Sequence, residues 1–98
     1  MADQHKINWS VKAIRDLENI INYLETNWTE KEIQNFNTKL FKAINLISKR
    51  PKLFRLTNHR KHLRKCVLSK QTTIYYQEID SEIFIVTLFD NRQNPKKL

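Results

Sequence analysis

Residues 72–89, TTIYYQEIDSEIFIVTLF, contain two strand-like runs that meet at a short polar link. The runs 72–79 and 83–89 are rich in β-branched and aromatic residues, which favour strands. We expect the link Asp80-Ser81-Glu82 to reverse the chain and form an antiparallel hairpin. The sequence has no glycine. Asp80, which tolerates positive φ, is therefore expected to serve the turn, unless the loop exceeds two residues.

The second run of this hairpin is apolar at nearly every position. Strict alternation divides its apolar side chains into two sets, one for each face: Ile83, Ile85 and Phe89 on one, and Phe84, Val86 and Leu88 on the other. A strand with one wet face would alternate with polar residues. We therefore expect this strand either to be covered on both faces or to await a partner on the second.

A third strand is predicted just before the hairpin, at residues 62–68, HLRKCVL, linked to it by Ser69-Lys70-Gln71. The preceding stretch 52–61, KLFRLTNHRK, is predicted to be a basic loop or an irregular strand. Three apolar side chains are expected to hold it to the core: Leu53, Phe54 and Leu56.

Two amphipathic helices are predicted further towards the N-terminus. Ser10 is a candidate N-cap for the first, and the sequence Thr29-Glu30-Lys31-Glu32 is a capping box that starts the second at about residue 30. Pro51 ends the second helix. Apolar residues at spacings of three and four form one stripe on each helix: Val11, Ile14, Leu17, Ile20, Ile21 and Leu24 on the first, and Ile33, Phe36, Leu40, Ile44 and Ile47 on the second.

The stretch 5–9 is predicted to be the first strand, because Ile7 and Trp9 alternate with polar residues. The element order is then β-αα-βββ. It predicts an α+β, two-layer fold with a helical hairpin on one face of a mainly antiparallel sheet. A chain of 98 residues suits a single domain over 1–98.

Charge is distributed unevenly along the chain. Residues 33–77 carry eleven Lys or Arg and no Asp or Glu, whereas the flanking parts are slightly acidic. The whole chain has a formal net charge of +8. Such a stretch predicts a positive field on one part of the surface, which attracts polyanions or an acidic protein.

Several functional classes find little support in the sequence. A single cysteine, Cys66, cannot form an internal disulfide and suits a reducing cytoplasm. His59, His62 and Cys66 make only a loose metal-ligand pattern, so we predict no metal site. Without glycine the chain has no phosphate-cradling loop, and we predict no cofactor. We also expect no signal peptide and no membrane contact, hence a cytoplasmic protein.

Four stretches resemble a known family, the RelE/ParE superfamily of type II toxins. They are AIRDLENIINYLE at 13–25, LRKCVL at 63–68, IYYQEID at 74–80 and FDNRQNPKKL at 89–98. The resemblance extends from about residue 5 to residue 97. The basic loop after Pro51 is also similar to the family pattern.

The resemblance implies a growth-inhibiting toxin that a cognate antitoxin neutralises, of the kind associated with plasmid stabilisation. The ParE branch of the family blocks DNA gyrase without catalysis. The RelE branch is a metal-independent endoribonuclease that cuts mRNA on the ribosome. A third possibility, left open by charge alone, is a non-toxic basic module that binds nucleic acid.

The residues that the resemblance implicates differ between the two branches. A RelE-like activity would use Arg64 and Arg92 as catalytic cations. Here Thr73 and Cys66 occupy positions where RelE-like enzymes carry basic residues, and no Tyr or His follows Phe89. We therefore favour the ParE-like branch. The predicted target-binding residues are four cations of the basic stretch: Arg55, Arg60, Lys61 and Lys65.

Overall fold

The described part of the chain, residues 4–58 and 60–91 of a computed structural model, forms two helices and four strands. In chain order these are β1 (Lys6–Trp9), α1 (Val11–Asn27), α2 (Glu30–Lys49), β2 (Leu63–Val67), β3 (Thr72–Ile79) and β4 (Glu82–Asp90). The order is the predicted one. Neither helix is long and apolar enough to cross a membrane.

The strands form one sheet in the order β1-β4-β3-β2. β1 is parallel to β4, and the other neighbours are antiparallel. A parallel pair needs a long crossover, which the α1–α2 hairpin supplies. The core lies between the helices and one face of the sheet, and its buried members include Ala13, Leu40, Ile47, Ile74, Tyr76, Ile83 and Ile85. We call this face of the sheet the helix-covered face. The predicted α+β fold is confirmed.

Both helices begin at the predicted caps. The Ser10 hydroxyl accepts a hydrogen bond from Ala13 N at 2.9 Å. At the start of α2, Thr29 and Glu32 exchange the two bonds of a capping box, each at 3.3 Å. These caps satisfy backbone N–H groups that a helix leaves without internal partners. The signals that positioned the helices are thus local ones.

The predicted stripe of α1 is partly wrong. Val11 and Ile14 are 68% and 45% exposed, whereas Ala13 is fully buried. Leu17 and Ile20, four and seven residues after Ala13, pack against the same core. The row that faces the sheet therefore starts at Ala13, just after the cap Ser10, which is itself bonded to Ile85 O and Val86 O of the sheet.

β4 contains a bulge at Val86. Tyr76 pairs with Ile85, and the preceding residue Tyr75 pairs with Thr87, which leaves Val86 without an opposite residue on β3. An extra residue in one strand shifts the alternation of side chains beyond it. Before the bulge the odd-numbered residues of β4 therefore lie on the helix-covered face, and after it the even-numbered residues do.

The bulge overturns the predicted division of the last strand. Leu88, rather than Phe89, joins Ile83 and Ile85 in the core beneath the helices. Phe89 instead belongs to a second cluster, with Leu63, Tyr75 and Val86 packed against it. We call the face that carries this cluster the opposite face. Phe84 remains 36% exposed.

The turn between β3 and β4 uses two residues with positive φ. Asp80 has φ of 51° and Ser81 has φ of 66°. Because Ile79 pairs directly with Glu82, the loop contains only these two residues. Two-residue hairpin turns favour positive φ at both positions, which fits the twist of the strands. The predicted role of Asp80 is confirmed, and Glu82 belongs to the strand.

The prediction that three apolar residues hold the basic stretch to the core is correct for only one of them. Phe54 packs against the core, and its ring meets that of Tyr76 edge-on, with centroids 6.4 Å apart. Leu53 and Leu56 are 52% and 54% exposed. This stretch runs along the side of the sheet, where only one of the three side chains points under the helices.

Candidate functional site: the basic outer edge

A short extended segment runs along the free side of β2. Leu56 stands opposite Arg64 in an antiparallel bridge. Two backbone hydrogen bonds flank this pair: Thr57 N–H to Leu63 O at 2.7 Å, and Lys65 N–H to Arg55 O at 3.1 Å. The stretch 52–61 is therefore an irregular strand at its centre. We call its described residues, 52–58 and 60–61, together with β2 the basic outer edge.

Arg64 lies on the helix-covered face, opposite Tyr76 of β3. Its guanidinium Nη1 donates to Phe54 O at 2.6 Å and to Lys52 O at 3.5 Å. Next to it, the Tyr76 hydroxyl donates to Pro51 O at 2.7 Å. Arg64 and Tyr76 together therefore bind the backbone that follows α2. Bonds from a charged donor are stronger than neutral ones, so Arg64 anchors the start of the basic stretch.

Lys65 lies on the opposite face, in register with Tyr75. Its neighbour across the edge is the exposed Arg55, whose carbonyl accepts the Lys65 N–H. Residues on either side of a directly opposed antiparallel pair share the other face of the ladder. Lys65 and Arg55 thus both lie on the opposite face, whereas their neighbours Arg64 and Leu56 lie on the helix-covered face.

Arg60 and Lys61 are bonded to the same edge of the sheet through their backbone carbonyl groups. Leu63 N donates to Arg60 O at 3.4 Å, and Gln77 Nε2 of β3 donates to Lys61 O at 3.3 Å. Both residues are exposed. The structure therefore gathers all four predicted target-binding cations around β2, although they are spread over eleven positions of the sequence.

No carboxylate from residues 33–77 can offset these charges, because the stretch contains none. The next acidic residue, Glu78, lies 3.5 Å from His5 Nε2. His5 Nδ1 lies 2.9 Å from Ser48 O, at the C-terminal end of α2. Like charges that are close together and not neutralised produce a local positive potential. The basic outer edge is therefore suited to an anionic or acidic partner.

Three buried groups near this edge, Tyr75, Tyr76 and Cys66, are poor proton acceptors. Burial raises the pKa of Tyr76 to about 12. Burial also raises the pKa of Tyr75 and of the Cys66 thiol. A general base works best with a pKa near the working pH. All three side chains stay protonated at neutral pH, and the two tyrosines serve the packing on the two faces.

Two predicted residues lie outside the described part of the chain. Arg92, the second catalytic cation of the RelE-like hypothesis, is one, and His59 of the loose metal-ligand pattern is the other. Of the remaining members of that pattern, Cys66 is buried in the core and His62 is exposed. Within residues 4–58 and 60–91, no three His, Cys, Asp or Glu side chains are grouped to hold a metal ion.

Sequence reasoning missed a second feature, a groove between α1 and the end of β4. It encloses about 210 Å³, and its lining includes Asp16, Ile20, Tyr23, Phe36 and Leu88. The Asp16 carboxylate accepts from the Thr87 hydroxyl and from Leu88 N, the latter at 3.2 Å. β1 pairs with β4 only as far as Ile85, so Asp16 satisfies an N–H on the strand edge beyond it.

A signal for Asp16 exists in the sequence but is weak. Asp16 is three residues after Ala13 and four before Ile20, next to the row that faces the sheet. Such a position is compatible with a carboxylate that turns inward to a strand edge. It is equally compatible with a solvated side chain, which is how its polar neighbours on α1 behave.

Comparisons with known proteins agree with this fold. A chain of the chromosomal ParDE toxin–antitoxin system from P. aeruginosa superposes with a TM-score of 0.75 at 12% identity, covering 91% of this chain and 98% of that one. A chain of the E. coli DinJ–YafQ toxin–antitoxin complex superposes with a TM-score of 0.64 at 12% identity, covering 91% of this chain and 94% of that one. For a chain of the S. aureus YoeB dimer the TM-score is 0.62 at 16% identity, with 88% of this chain and 95% of that one covered.

Sequence comparison adds the family. A search of curated protein sequences found no significant match. The family model for the ParE toxin of the type II toxin–antitoxin system parDE matches residues 7–95. Since this match extends over nearly all of the chain and the fold agrees with it, the protein belongs to the ParE toxin family of type II toxin–antitoxin systems.

Proposed function

We propose that this toxin inhibits growth by binding and blocking DNA gyrase without catalysis, and that a cognate antitoxin neutralises it in the cytoplasm. Membership of the ParE family supports the ParE-like target rather than the ribosome. Two similar structures are those of toxin–antitoxin assemblies, which supports an antitoxin partner for this chain. On this proposal the toxin acts as a single domain.

The observation that carries the choice of target is the bonding of Arg64. A RelE-like reaction needs cations that are available to the scissile phosphate. The Arg64 guanidinium is instead directed at Phe54 O and Lys52 O, on the face that the helices cover. Its Nη1 would have to release the loop before it could bind a phosphate. This favours a structural role for Arg64 and a non-catalytic mode of inhibition.

Besides Arg64, the basic outer edge includes the exposed cations Arg55, Arg60 and Lys61 and the half-buried Lys65. We infer that Arg55, Arg60, Lys61 and Lys65 make the contact. Gyrase works on DNA, and the phosphates of the DNA bound to it attract such cations. A positive edge would also accelerate association with an acidic protein surface. Neither contact requires proton transfer.

Purified toxin in two parallel assays tests the target. We expect inhibition of DNA supercoiling by purified gyrase, and intact mRNA on translating ribosomes at the same toxin concentration. Cleavage of ribosome-bound mRNA together with normal supercoiling would replace the proposal by the RelE-like alternative. Normal behaviour in both assays, with salt-dependent binding to DNA or RNA, would favour the non-toxic module.

A pair of charge reversals tests the contact. Arg55→Glu should raise the toxin concentration needed for half inhibition by about tenfold or more, since a lost contact of 1.4 kcal/mol gives that factor. Lys42→Glu, on the exposed side of α2, changes net charge equally and should have little effect. Equal losses for both variants would mean that overall charge, rather than this edge, acts on the target.

A further inference from the structure

His5, just before β1, and Glu78, near the end of β3, come together on the helix-covered face. Ile83 of β4 lies between their strands, in register with Ile7 on one side and with Glu78 on the other. Since Ile83 belongs to the core beneath the helices, Glu78 lies on that face, and so does His5, two residues before Ile7. The His5 Nε2 atom lies 3.5 Å from Glu78 Oε2.

Bonds to the end of α2 hold His5 in place and decide which ring nitrogen carries its hydrogen. The His5 N–H donates to Ser48 O at 2.9 Å, and the Ser48 hydroxyl donates to His5 O at 2.9 Å. The ring Nδ1 lies 2.9 Å from the same Ser48 O. Because a carbonyl oxygen only accepts, Nδ1 carries the hydrogen and the neutral ring has its lone pair on Nε2. Histidines that bind metals are commonly oriented by such a bond from the other ring nitrogen.

The distance between His5 Nε2 and Glu78 Oε2 separates two interpretations of the pair. At 3.5 Å it is longer than the roughly 2.7–2.9 Å of a charge-assisted hydrogen bond. Two ligands that each lie roughly 2.1 Å from one tetrahedral zinc ion are about 3.4 Å apart. The spacing of the pair therefore suits a shared metal ion better than a strong direct bond.

The surroundings of the pair select the class of ion. The opening beside it has a volume of about 370 Å³ and is also lined by Arg50, Lys52 and Leu53. The C-terminal end of α2 favours a cation, whereas Arg50 and Lys52, which are both exposed, disfavour one. Ions such as Mg²⁺, which bind oxygen ligands through charge, therefore gain little here. A zinc-type ion also bonds to imidazole nitrogen, which matches the nitrogen and oxygen of this pair.

We propose that His5 and Glu78 bind a divalent transition-metal ion of the zinc type, with water molecules in its remaining coordination positions. The two side chains are 26% and 22% exposed, so solvent reaches both. Neither residue belongs to the loose metal-ligand pattern that the sequence suggested around Cys66. Two protein ligands, rather than the four of a structural zinc site, make the binding weak and reversible.

The bound ion connects the edge strand β1 to β3 across β4. Because His5 and Glu78 are far apart in the chain, only the folded state brings them together. An ion that binds the folded state alone shifts the folding equilibrium towards it. The metal therefore stabilises the attachment of the N-terminal strand, independently of the proposed target of the toxin.

Zinc chloride titrated into the full-length, untagged toxin tests the site. Calorimetry should show one ion bound per molecule, and NMR should show shifts of the His5 ring resonances. The melting temperature should rise with zinc concentration, and a chelator should reverse the rise. Magnesium chloride should bind at least about tenfold more weakly, because it does not favour imidazole. No binding at millimolar zinc, unchanged His5 resonances at saturating zinc, or equal binding of magnesium would each overturn the proposal.

Three glutamine variants localise the ion. His5→Gln and Glu78→Gln each remove one ligand and should weaken zinc binding by at least about tenfold. His62→Gln removes an exposed histidine just before β2 and should weaken it less than about twofold, because that ring is not a ligand. An equal loss in His62→Gln would contradict the assignment. Amide NMR spectra check that the variants are folded, and if one is not, the His5 resonances of the unmodified toxin decide.

Discussion

The two faces of the sheet use neighbouring residues of β2 for different purposes. On the helix-covered face, Arg64 donates to the backbone of the preceding loop and lies beside the buried Tyr76. On the opposite face, Lys65 lies next to the exposed Arg55. One step along the strand separates a cation that stabilises the protein from a cation available to a partner.

This difference shows what a positive charge on a strand signifies. The charge of a residue is evident from the sequence, whereas its role depends on the face to which the strand alternation assigns it. Arg64, half-buried beside the helices, uses its Nη1 within the protein, where an unpaired charge would be costly. A cation on the other face keeps its donors for solvent or a partner. Mutations that separate the two faces should therefore have opposite effects on stability and on binding.

The largest expected effect comes from shortening apolar side chains of β4, and it tests to which face of the sheet each of them belongs. Leu88→Ala should lower the free energy of unfolding by about 2–5 kcal/mol, because Leu88 is a buried core residue. Val86→Ala should cost about 1 kcal/mol, since Val86 is only half-buried. Urea unfolding of both variants measures the difference. Comparable losses would mean that the strand has no bulge at Val86 and that the faces alternate regularly.

A second comparison uses the adjacent cations. Arg64→Ala should reduce the free energy of unfolding by about 1.5–3 kcal/mol, because it removes charge-assisted bonds to Phe54 O and Lys52 O. Lys65→Ala should cost less than about 1 kcal/mol. Urea unfolding gives the stabilities, and Arg64→Lys, which retains a donor, should recover part of the loss.

Gyrase inhibition by the same variants should follow the reverse order. At a temperature where all variants are folded, Lys65→Ala should be the weaker inhibitor and Arg64→Ala should resemble the unmodified protein. If Arg64→Ala abolishes activity without loss of stability, Arg64 acts on the target and the assignment of the two faces to two roles is wrong.

A further comparison concerns the buried hydroxyl of Tyr76. Its pKa in the folded protein, about 12, exceeds the ordinary value of about 10. The folded state therefore holds this proton more tightly, so the resulting stability is fully present below pH 10 and is lost between about pH 10 and 12. The slope from this one group approaches 1.4 kcal/mol per pH unit.

Urea unfolding between pH 8 and 12 measures this contribution against two phenylalanine variants. Tyr76→Phe should lose the group's share of the alkaline slope, and at pH 8 it should be about 1 kcal/mol less stable through loss of the bond to Pro51 O. Tyr23→Phe, at a tyrosine that is 44% exposed, should keep the slope. A Tyr76→Phe variant with an unchanged slope would show that this hydroxyl does not titrate from a buried site.

Most of the fold could be predicted because its signals are local. The capping box at Thr29, the cap at Ser10 and the runs 72–79 and 83–89 each act over a few residues. Asp80 could be assigned to the turn because the chain has no glycine. The bulge at Val86 escaped prediction, since a bulge depends on the register between two strands and an uninterrupted apolar run gives no sign of it.

The candidate site could be predicted only in part. The cluster of cations was visible as a stretch without carboxylates, and the structure brings the four predicted residues to one edge. Arg64 was a catalytic candidate because of the family resemblance, and no local feature of the sequence indicates its bonds to Phe54 O and Lys52 O. Asp16 escaped prediction, because its partners Thr87 and Leu88 are more than 70 positions away in the chain.

The sequence by itself determined the elements, their order and the sign of the charge on the basic stretch, since propensity, capping and charge are properties of neighbouring residues. Only the tertiary structure decided which cations face inward and where the bulge in β4 reverses the alternation of its side chains. It also decided that the backbone groups of Leu56 are open at the edge of the sheet. These depend on strand register and on where the helices stop covering the sheet. Both result from contacts between residues that are far apart in the chain.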